Sequence, residues 1–266
     1  MYTNKIVVIT GGSDGIGKAL TAAFLKMGAK VATCGRNQQK LDLLISEYKD
    51  APLYTMIADV SKEEDCKNFI QAAMAKFGGI DILINNAGIS MRALFKDTEL
   101  DTLRNVMNIN FWGTVYCTKF AMNAIIERKG SIVGVSSIAG YRGLPGRSGY
   151  SASKFAVNGW LEAIRTELLY TGVNVMWVCP GFTTSNIRNA ALNKDAKPQG
   201  ESPMDEAKMM SAEECADHII DAITKRKRTL VLTSNGKRMV FMNKYFPKLA
   251  DKMVRKFFFK NGNLVK

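Results

Sequence analysis

Short runs of hydrophobic residues alternate along this chain with segments in which hydrophobic residues recur at every third or fourth position. Seven such runs lie at 6–9, 30–34, 52–58, 82–84, 131–135, 173–179 and 229–232. The first, Ile6-Val7-Val8-Ile9, is hydrophobic throughout, which is typical of a strand buried on both faces. Segments between the runs, such as 18–27 and 40–48, have the periodicity of amphipathic helices.

Strands that alternate with helices predict a parallel sheet covered by helices on both faces. Because crossover connections between parallel strands are right-handed, the pattern predicts a doubly wound α/β sheet of about seven strands. The 266 residues and the 47% hydrophobic content suffice for one large core. We therefore expect a single α/β domain.

A glycine-rich turn follows the first predicted strand and opens a helix that begins near Ile16. Glycines at Gly11, Gly15 and Gly17 let the backbone approach a pyrophosphate, which unpaired N–H groups and the helix dipole attract. Their G-x-x-x-G-x-G spacing differs from the usual G-x-G-x-x-G, and a purely structural turn is the alternative. The candidate cofactor-binding residues of this turn are Thr10, Gly11, Ser13, Asp14, Gly15, Ile16 and Gly17.

The end of the second predicted strand indicates which dinucleotide is bound. An NAD enzyme places an acidic residue there to hold the adenine ribose, whereas this chain has Gly35 followed by Arg36. Arg36 offers a fork of donors to a 2′-phosphate, so we predict NADP(H) rather than NAD(H). The negative charge of Asp14 in the glycine turn argues against this, and a solvated Arg36 at a helix start is the alternative.

Small and polar residues also follow the third and fourth predicted strands, at the sheet edge where open α/β sheets bind ligands. Asp59 and Val60 follow the third strand, and Asn86, Ala87 and Gly88 follow the fourth. We assign these residues to cofactor binding. A helix N-cap is the alternative for Asp59.

Tyr150 and Lys154 are four residues apart, and Tyr150 comes thirteen residues after Ser137, which follows the fifth predicted strand. This spacing puts the phenol and the ammonium side by side on one helix face. A free tyrosine titrates at about pH 10, and a cation about 4 Å away lowers its pKa by up to about three units. Tyr150 is thus predicted to exchange protons near neutral pH, although an isolated Y-x-x-x-K is most often a coincidence.

Together these residues resemble the short-chain dehydrogenase/reductase family over about residues 5–235. The resemblance rests on T-G-x-x-x-G-I-G at 10–17, N-N-A-G at 85–88, Y-x-x-x-K at 150–154, Asn110, Ser137 and the Pro180-Gly181 pair. It implies a Rossmann-type dinucleotide-binding and catalytic domain at 1–235, including a substrate loop at 180–212. Residues 236–266 are then a basic amphipathic extension of the same domain.

The resemblance also implies the roles of four catalytic residues. Tyr150 would be the general acid in reduction and the base in oxidation, and Lys154 would lower its pKa and bind the nicotinamide ribose. Ser137 would hydrogen-bond the substrate oxygen. Asn110 would hold a water that links Lys154 to solvent.

Three further residues are assigned to the cofactor by the same resemblance: Pro180, Gly181 and Thr183, with Thr183 at the nicotinamide carboxamide. Family members usually associate through the helices that carry Asn110 and Tyr150. A homodimer or homotetramer is therefore expected by analogy.

The formal net charge of +13 is concentrated near the C-terminus. The segment 237–260 holds eight basic residues and one acidic residue, Asp251, among hydrophobic and aromatic side chains, and Pro247 is predicted to break it in two. One interpretation is peripheral contact with anionic lipid, which admits a lipophilic substrate. The other is an arm that packs over the substrate pocket or a sister subunit.

The segment 180–210 is irregular and predicts a lid. Its methionines, Met204, Met209 and Met210, suit an adaptable apolar surface or simply fill gaps.

Several other classes are disfavoured. No apolar run approaches the roughly 18 residues of a membrane span and no secretory signal is recognised, so we expect a cytoplasmic protein, with peripheral membrane contact as the alternative. Nucleic-acid binding is disfavoured because the basic residues lie in one tail. His218 is the single histidine, and no pair of cysteines has the spacing of a zinc site, so no metal is expected. We interpret the five cysteines as buried apolar residues: Cys34, Cys66, Cys117, Cys179 and Cys215.

The sequence thus predicts an NADP(H)-dependent oxidoreductase that acts on a ketone or secondary alcohol. A lipophilic substrate, 3-ketosphinganine-like or steroid-like, is favoured weakly. The alternative is a non-catalytic NADP(H)-sensing regulator, which would be expected to have lost Tyr150 or Lys154; both are present. A sugar-nucleotide epimerase would need a further substrate domain.

Overall fold

The computed structural model describes residues 2–200, 202 and 209–265. Its centre is a parallel sheet of seven strands in the order β3-β2-β1-β4-β5-β6-β7. The strands are β1 Ile6–Thr10, β2 Lys30–Gly35, β3 Leu53–Ile57, β4 Ile82–Asn85, β5 Ser131–Val135, β6 Asn174–Cys179 and β7 Thr229–Val231. The strand order reverses between β1 and β4, which confirms the predicted doubly wound sheet and its seven strands.

Helices connect the strands. They are α1 Gly15–Lys26, α2 Gln38–Glu47, α3 Glu63–Phe77, α4 Leu100–Met107, α5 Gly113–Glu127, α6 Ser148–Glu167, α7 Ala212–Thr224, α8 Ser234–Tyr245 and α9 Pro247–Phe258. A π-helical turn, Asn108–Trp112, joins α4 to α5, and single 3₁₀ turns lie at Phe95–Asp97 and Ile138–Gly140. A short hairpin of β8 Phe259–Lys260 and β9 Asn263–Leu264 follows α9.

Each face of the sheet packs against its own helices. On one face the hydrophobic cluster includes Phe24 of α1 and Ile219 of α7. On the other it includes Phe69 of α3, Ile125 of α5 and Leu161 of α6. All five positions of β1 are buried, as the uninterrupted hydrophobicity of this strand predicts.

Helices α8 and α9 and the terminal hairpin form an extension that packs on the loop between β5 and α6. Pro247 is the first residue of α9, which confirms the predicted break. Arg142 donates to Asn243 at 2.9 Å and to Asp251 at 2.5 Å, and Asn243 donates to the carbonyl of Tyr141 at 2.8 Å. Among the described residues, the hydrophobic clusters of the two sheet faces end at Leu232, so the extension lies outside both.

The cysteines are free thiols buried in the protein, as predicted. Burial raises the pKa of Cys34, Cys179 and Cys215 to about 12, which keeps these thiols protonated and inert. The described residues include no group of three or more histidine, cysteine, aspartate or glutamate side chains that could hold a metal ion.

In the described part of the chain, no helix combines the length and the apolar character needed to cross a bilayer.

Candidate active site

A cavity of about 930 Å³ opens at the carboxyl ends of the central strands. Its wall runs from the glycine-rich turn, past the ends of β2, β4, β5 and β6, to the extension. Of the predicted site residues, Thr10, Gly17 and Asn110 are not part of this wall, and all the others are. The fold therefore brings the separate sequence motifs to one place.

The glycine-rich turn is shaped for the close approach of a ligand. Gly11 and Gly15 have φ of +70° and +50°, in the left-handed region that glycine tolerates. Gly15 starts α1, and the side chain of Asp14 makes no capping hydrogen bond, so the first N–H groups of α1 remain for a ligand. A Cβ atom at Gly17 would collide with the carbonyl oxygen of Gly11. The turn thus fits the pyrophosphate of a dinucleotide.

Thr10 and Asn86 fasten this turn to the end of β4. The Thr10 hydroxyl accepts from the backbone N–H groups of Asn86 and Ala87, both at 3.0 Å. In return, the Asn86 amide donates to the carbonyls of Thr10 at 3.0 Å and Gly11 at 3.2 Å. In this structure Thr10 and Asn86 therefore position the turn.

Paired charges lie at the end of the cavity beside β2. Arg36 lies 3.8 Å from the carboxylate of Asp59 and is 58% exposed, so its guanidinium remains accessible to a ligand. Asp14 is ion-paired with Lys40 of α2. This pairing offsets the negative charge of Asp14, which argued against the binding of NADP(H). The sequence analysis did not identify Lys40 as a site residue. Asn37 is the N-cap of α2, so Lys40 lies in the first turn of this helix, close to the end of β2.

Asp59 does not cap a helix, so the N-cap alternative is wrong. Helix α3 begins at Glu63, whereas the Asp59 carboxylate accepts from the backbone N–H of Ser61 at 3.0 Å and its hydroxyl at 2.8 Å. Val60 packs against Gly113, where a Cβ atom would lie 2.9 Å from the Val60 Cβ. This contact joins the end of β3 to the start of α5.

Ser137, Tyr150 and Lys154 converge on the cavity. Lys154 is buried, and its ammonium lies 5.7 Å from the centre of the Tyr150 ring and donates to the carbonyl of Val135 at 2.8 Å. Burial lowers the pKa of Lys154 to about 8. The predicted proximity of phenol and ammonium is therefore present.

The electrostatics of Tyr150 differ from the sequence-based expectation. Burial raises the pKa of Tyr150, and this effect outweighs a hydrogen bond with Ser137 and the charges of Arg147 and Arg188, which lower it. The Lys154 ammonium is directed to the carbonyl of Val135, to which it donates at 2.8 Å. In the protein without ligands burial therefore outweighs the cations near Tyr150, and the role of Lys154 in lowering the Tyr150 pKa stays a prediction.

Asn110 lies in the π-helical turn, and its side chain is committed to protein contacts. Its carbonyl accepts from the backbone N–H of Ile89 at 2.8 Å, while its amide donates to the Ile89 carbonyl and to the Ser153 hydroxyl, both at 2.9 Å. These bonds fix the segment that follows β4 beside Lys154, since a Cβ at Gly88 would lie 3.5 Å from the Lys154 ammonium. The water-holding role of Asn110 stays a prediction.

The segment after β6 closes one side of the cavity. The carbonyl of Pro180 accepts from the N–H of Ile138 at 3.3 Å, and a Cβ at Gly181 would lie 2.6 Å from the Thr233 hydroxyl. Thr183 is buried, with its hydroxyl 3.5 Å from the Gly181 carbonyl.

Part of the segment predicted to form a lid lines the cavity, and its role as a lid stays a prediction. Residues Phe182, Ile187 and Ala190 line the cavity, and Met210 pairs with the backbone of Phe182. Met204 lies outside the described residues.

The extension forms the apolar roof of the cavity. The roof side chains from α8 and α9 are Met239, Met242, Met253, Val254, Phe257 and Phe258. Lys248 and Lys252 of the same helices are exposed. The arrangement is that of an arm packed over the pocket with a solvated basic side, and contact with a membrane stays a prediction.

Arg147 is a second site residue that sequence reasoning missed. It lines the cavity, is only 8% exposed and lies 5.3 Å from the centre of the Phe258 ring. Its position three residues before Tyr150, at the start of the same helix, was the available signal.

Comparisons with known proteins agree with this geometry. A family model described as short chain dehydrogenase matches residues 5–196. The chain is 35% identical to "Dehydrogenase/reductase SDR family member 7B" of Mus musculus, over 86% of this chain and 73% of that protein. It is also 35% identical to "11-beta-hydroxysteroid dehydrogenase-like 4A" of Arabidopsis thaliana, over 89% of this chain and 79% of that protein.

A solved structure shares the fold. It is a short chain dehydrogenase/reductase from Burkholderia phymatum in complex with NAD, with a TM-score of 0.84 at 21% identity, over 93% of this chain and 95% of that one.

Proposed function

Since the chain belongs to the short-chain dehydrogenase/reductase family of oxidoreductases, we propose that it transfers hydride between NADP(H) and a lipophilic ketone or secondary alcohol. The observation that carries this proposal is the convergence of Ser137, Tyr150 and Lys154 on a cavity with an apolar roof. A regulator that only senses the nucleotide would need neither a proton donor at Tyr150 nor a hydrogen-bond donor to the substrate at Ser137.

The reacting groups have distinct tasks in this proposal. When bound, the nicotinamide supplies or accepts the hydride. Tyr150 gives its phenolic proton to the carbonyl oxygen during reduction, and Ser137 hydrogen-bonds the same oxygen, which stabilises the charge that develops there. Lys154, buried and fixed by Val135, presents its ammonium to the ribose and to the phenol. A buried cation of this kind favours the phenolate that remains after proton transfer.

The preference for NADP(H) is supported by the charges at the end of β2. Gly35 provides no carboxylate to compete with a 2′-phosphate, and Arg36 is exposed toward the cavity. Lys40 neutralises Asp14 and adds a second cation within the wall. Ser13 is close as well, because a Cβ at Gly35 would lie 3.1 Å from its hydroxyl.

The lipophilic character of the substrate is supported by the roof of α8 and α9, where six methionine, valine and phenylalanine side chains line the cavity beside the polar Asn235 and Arg238. Apolar pockets with a few polar groups are typical of small-molecule sites. The relatives named as 11-beta-hydroxysteroid dehydrogenase-like add weight to a steroid-like ketone. A 3-ketosphinganine-like chain fits the same chemistry.

Turnover with ketones of graded size, including 3-ketosphinganine and a 3-ketosteroid, tests the proposal. We expect oxidation of NADPH to exceed that of NADH, and Tyr150→Phe to lower kcat by about 10² to 10⁴-fold, the usual contribution of a general acid. NADPH binding, followed by its fluorescence, should survive this substitution.

Tyr170→Phe is the matched control, because this substitution removes the same hydroxyl from a tyrosine that is 97% exposed. Full activity of Tyr150→Phe would refute the assignment of the acid. Tight NADPH binding without turnover of any ketone would favour the sensing role.

A further inference from the structure

Arg147 is a buried cation that lines the cavity and has no carboxylate partner in the described part of the chain. It is 8% exposed, and its buried Nη1 atom has no hydrogen-bond partner among the residues that the structure describes. Among the described residues, no carboxylate forms an ion pair with its guanidinium. The Phe258 ring, 5.3 Å from the guanidinium carbon, covers one side. Burial lowers the pKa of Arg147 to about 10.

An unpaired buried arginine is costly, because charged side chains are rarely buried unless paired and hydrogen-bonded. Among the neighbours, Tyr150 raises the pKa of Arg147, whereas the positive charges of Arg92 and Arg188 lower it. Arg188 is tied to the loop after β6, where it donates to the Thr183 carbonyl at 3.0 Å and to the Ser202 hydroxyl at 3.1 Å. A bound anion would offset the buried charge of Arg147 itself.

Arg147 lies at the substrate end of the cavity. The cations beside the predicted adenosine site, Arg36 and Lys40, follow β2, whereas Arg147 is the N-cap of α6 and contacts α9. It precedes Tyr150 by three residues, about 4.5 Å along the helix axis. Its charge acts on the Tyr150 phenol, which places it near the reacting atoms. An anion held here therefore belongs to the substrate.

We propose that Arg147 binds an anionic group, a carboxylate or a phosphate, that the ketone substrate carries within a few bonds of its carbonyl. The planar guanidinium suits either oxyanion through paired hydrogen bonds. The remainder of the substrate is an apolar chain under α9, with Phe258 between the charged and apolar parts. This inference rests on the proposed function and narrows the lipophilic ketones to anionic amphipathic ones, which sets aside the uncharged steroid-like and the cationic 3-ketosphinganine-like ketones.

Three ketones of equal chain length test this inference: 4-oxododecanoate, its methyl ester and 4-oxododecyl phosphate. With the wild type, we expect kcat/KM for a charged ketone to exceed that for the ester by about 10- to 100-fold, the usual effect of a charge-assisted hydrogen bond. The carboxylate and phosphate arms show which anion is preferred. In Arg147→Met the ratio of kcat/KM for a charged ketone to kcat/KM for the ester should fall to near one. A change in proton transfer at Tyr150 would affect all three ketones alike and would leave this ratio unchanged.

Arg238→Gln is the matched control, because Arg238 is exposed at the cavity wall and its substitution removes the same charge as Arg147→Met does. It should retain the wild-type preference for the charged ketones. An equal loss of preference in both variants would indicate a diffuse electrostatic effect and would overturn the proposal. A wild type that turns over the ester as well as the charged ketones would overturn it too, while leaving the reductase intact.

Thermal unfolding supplies a readout without turnover. Dodecanoate should raise the Tm of the wild type and leave that of Arg147→Met unchanged, whereas dodecanol should act equally on both. Arg147→Met alone should have a Tm no lower than the wild type, because it removes an unpaired buried charge. If dodecanoate discriminates the two proteins but no ketone reacts, the anion site stands and the reductase proposal fails. No discrimination would count against the anion site.

Discussion

Tyr150 shows how the surroundings of one residue set its chemistry. Burial raises its pKa, and the cations that oppose this effect are Arg147 and Arg188. A phenol that stays protonated is suited to donate a proton to a carbonyl, which agrees with the reductive direction. An anion bound at Arg147 would weaken one of these opposing charges, so substrate binding and proton donation are coupled through a single guanidinium.

At the same scale, three residues are expected to control the choice of cofactor. Arg36→Ala and Lys40→Ala should each weaken NADPH binding by about tenfold or more, because each removes a charge-assisted contact to the 2′-phosphate, and should leave NADH binding nearly unchanged. Gly35→Asp should reverse the preference, since its carboxylate repels the phosphate and accepts from the ribose hydroxyls.

Fluorescence titration with both nucleotides measures these affinities. Lys26→Ala, an exposed lysine at the other end of α1, is the control for loss of charge. Parallel loss of NADPH and NADH affinity in Arg36→Ala would contradict a role in phosphate recognition.

At the scale of elements, α9 is expected to serve the substrate more than the fold. In the described structure the two hydrophobic clusters of the sheet end at Leu232, so a chain shortened to residue 246 should remain folded and bind NADPH. Its KM for long-chain ketones should rise by about tenfold, since two re-exposed methylene groups cost about 0.8 kcal/mol each. Short ketones should be unaffected.

Phe257→Ala is the milder variant, because it removes one side chain of the roof, and it should shift KM in the same direction. Phe95→Ala, which truncates an exposed phenylalanine outside the cavity, is the control. Circular dichroism checks that each protein is folded. Unchanged chain-length selectivity in the shortened protein would show that α9 does not bound the substrate.

The elements themselves were largely accessible from the sequence. All seven strands lie where hydrophobic runs predict them, and α1 begins one residue before Ile16. The break at Pro247 follows from the missing N–H of proline. By contrast, the π-helical turn that carries Asn110 has no local signal, because its extra residue is accommodated by contacts with Ile89 and Ser153.

At the scale of the whole molecule, charge and exposed apolar area coincide on the extension. Phe241, Tyr245, Phe246 and Leu249 are all at least half exposed, and Lys248 lies among them. Basic and aromatic side chains on one surface suit the interface of an anionic membrane. We therefore expect the protein to bind vesicles that contain phosphatidylserine and to be released by high salt.

Co-sedimentation with vesicles of phosphatidylcholine, with and without phosphatidylserine, measures this binding. The triple variant Lys244→Glu, Lys248→Glu and Lys252→Glu should bind at least about 100-fold more weakly, since each lysine near the surface contributes about 1 kcal/mol. The control carries the same charge change at exposed lysines elsewhere: Lys26→Glu, Lys49→Glu and Lys76→Glu. Equal weakening in both triples would indicate that net charge alone is responsible.

The sequence by itself determined the sheet, the order of its elements and the residues Ser137, Tyr150 and Lys154. These features depend on periodicity and on short spacings along the chain, which are local properties of the sequence. The tertiary structure decided which side chains meet across such elements. The pairing of Lys40 with Asp14 depends on the distance between segments that are far apart in the chain. So does the place of Arg147 under Phe258, where no described carboxylate pairs with it and burial raises the cost of its charge.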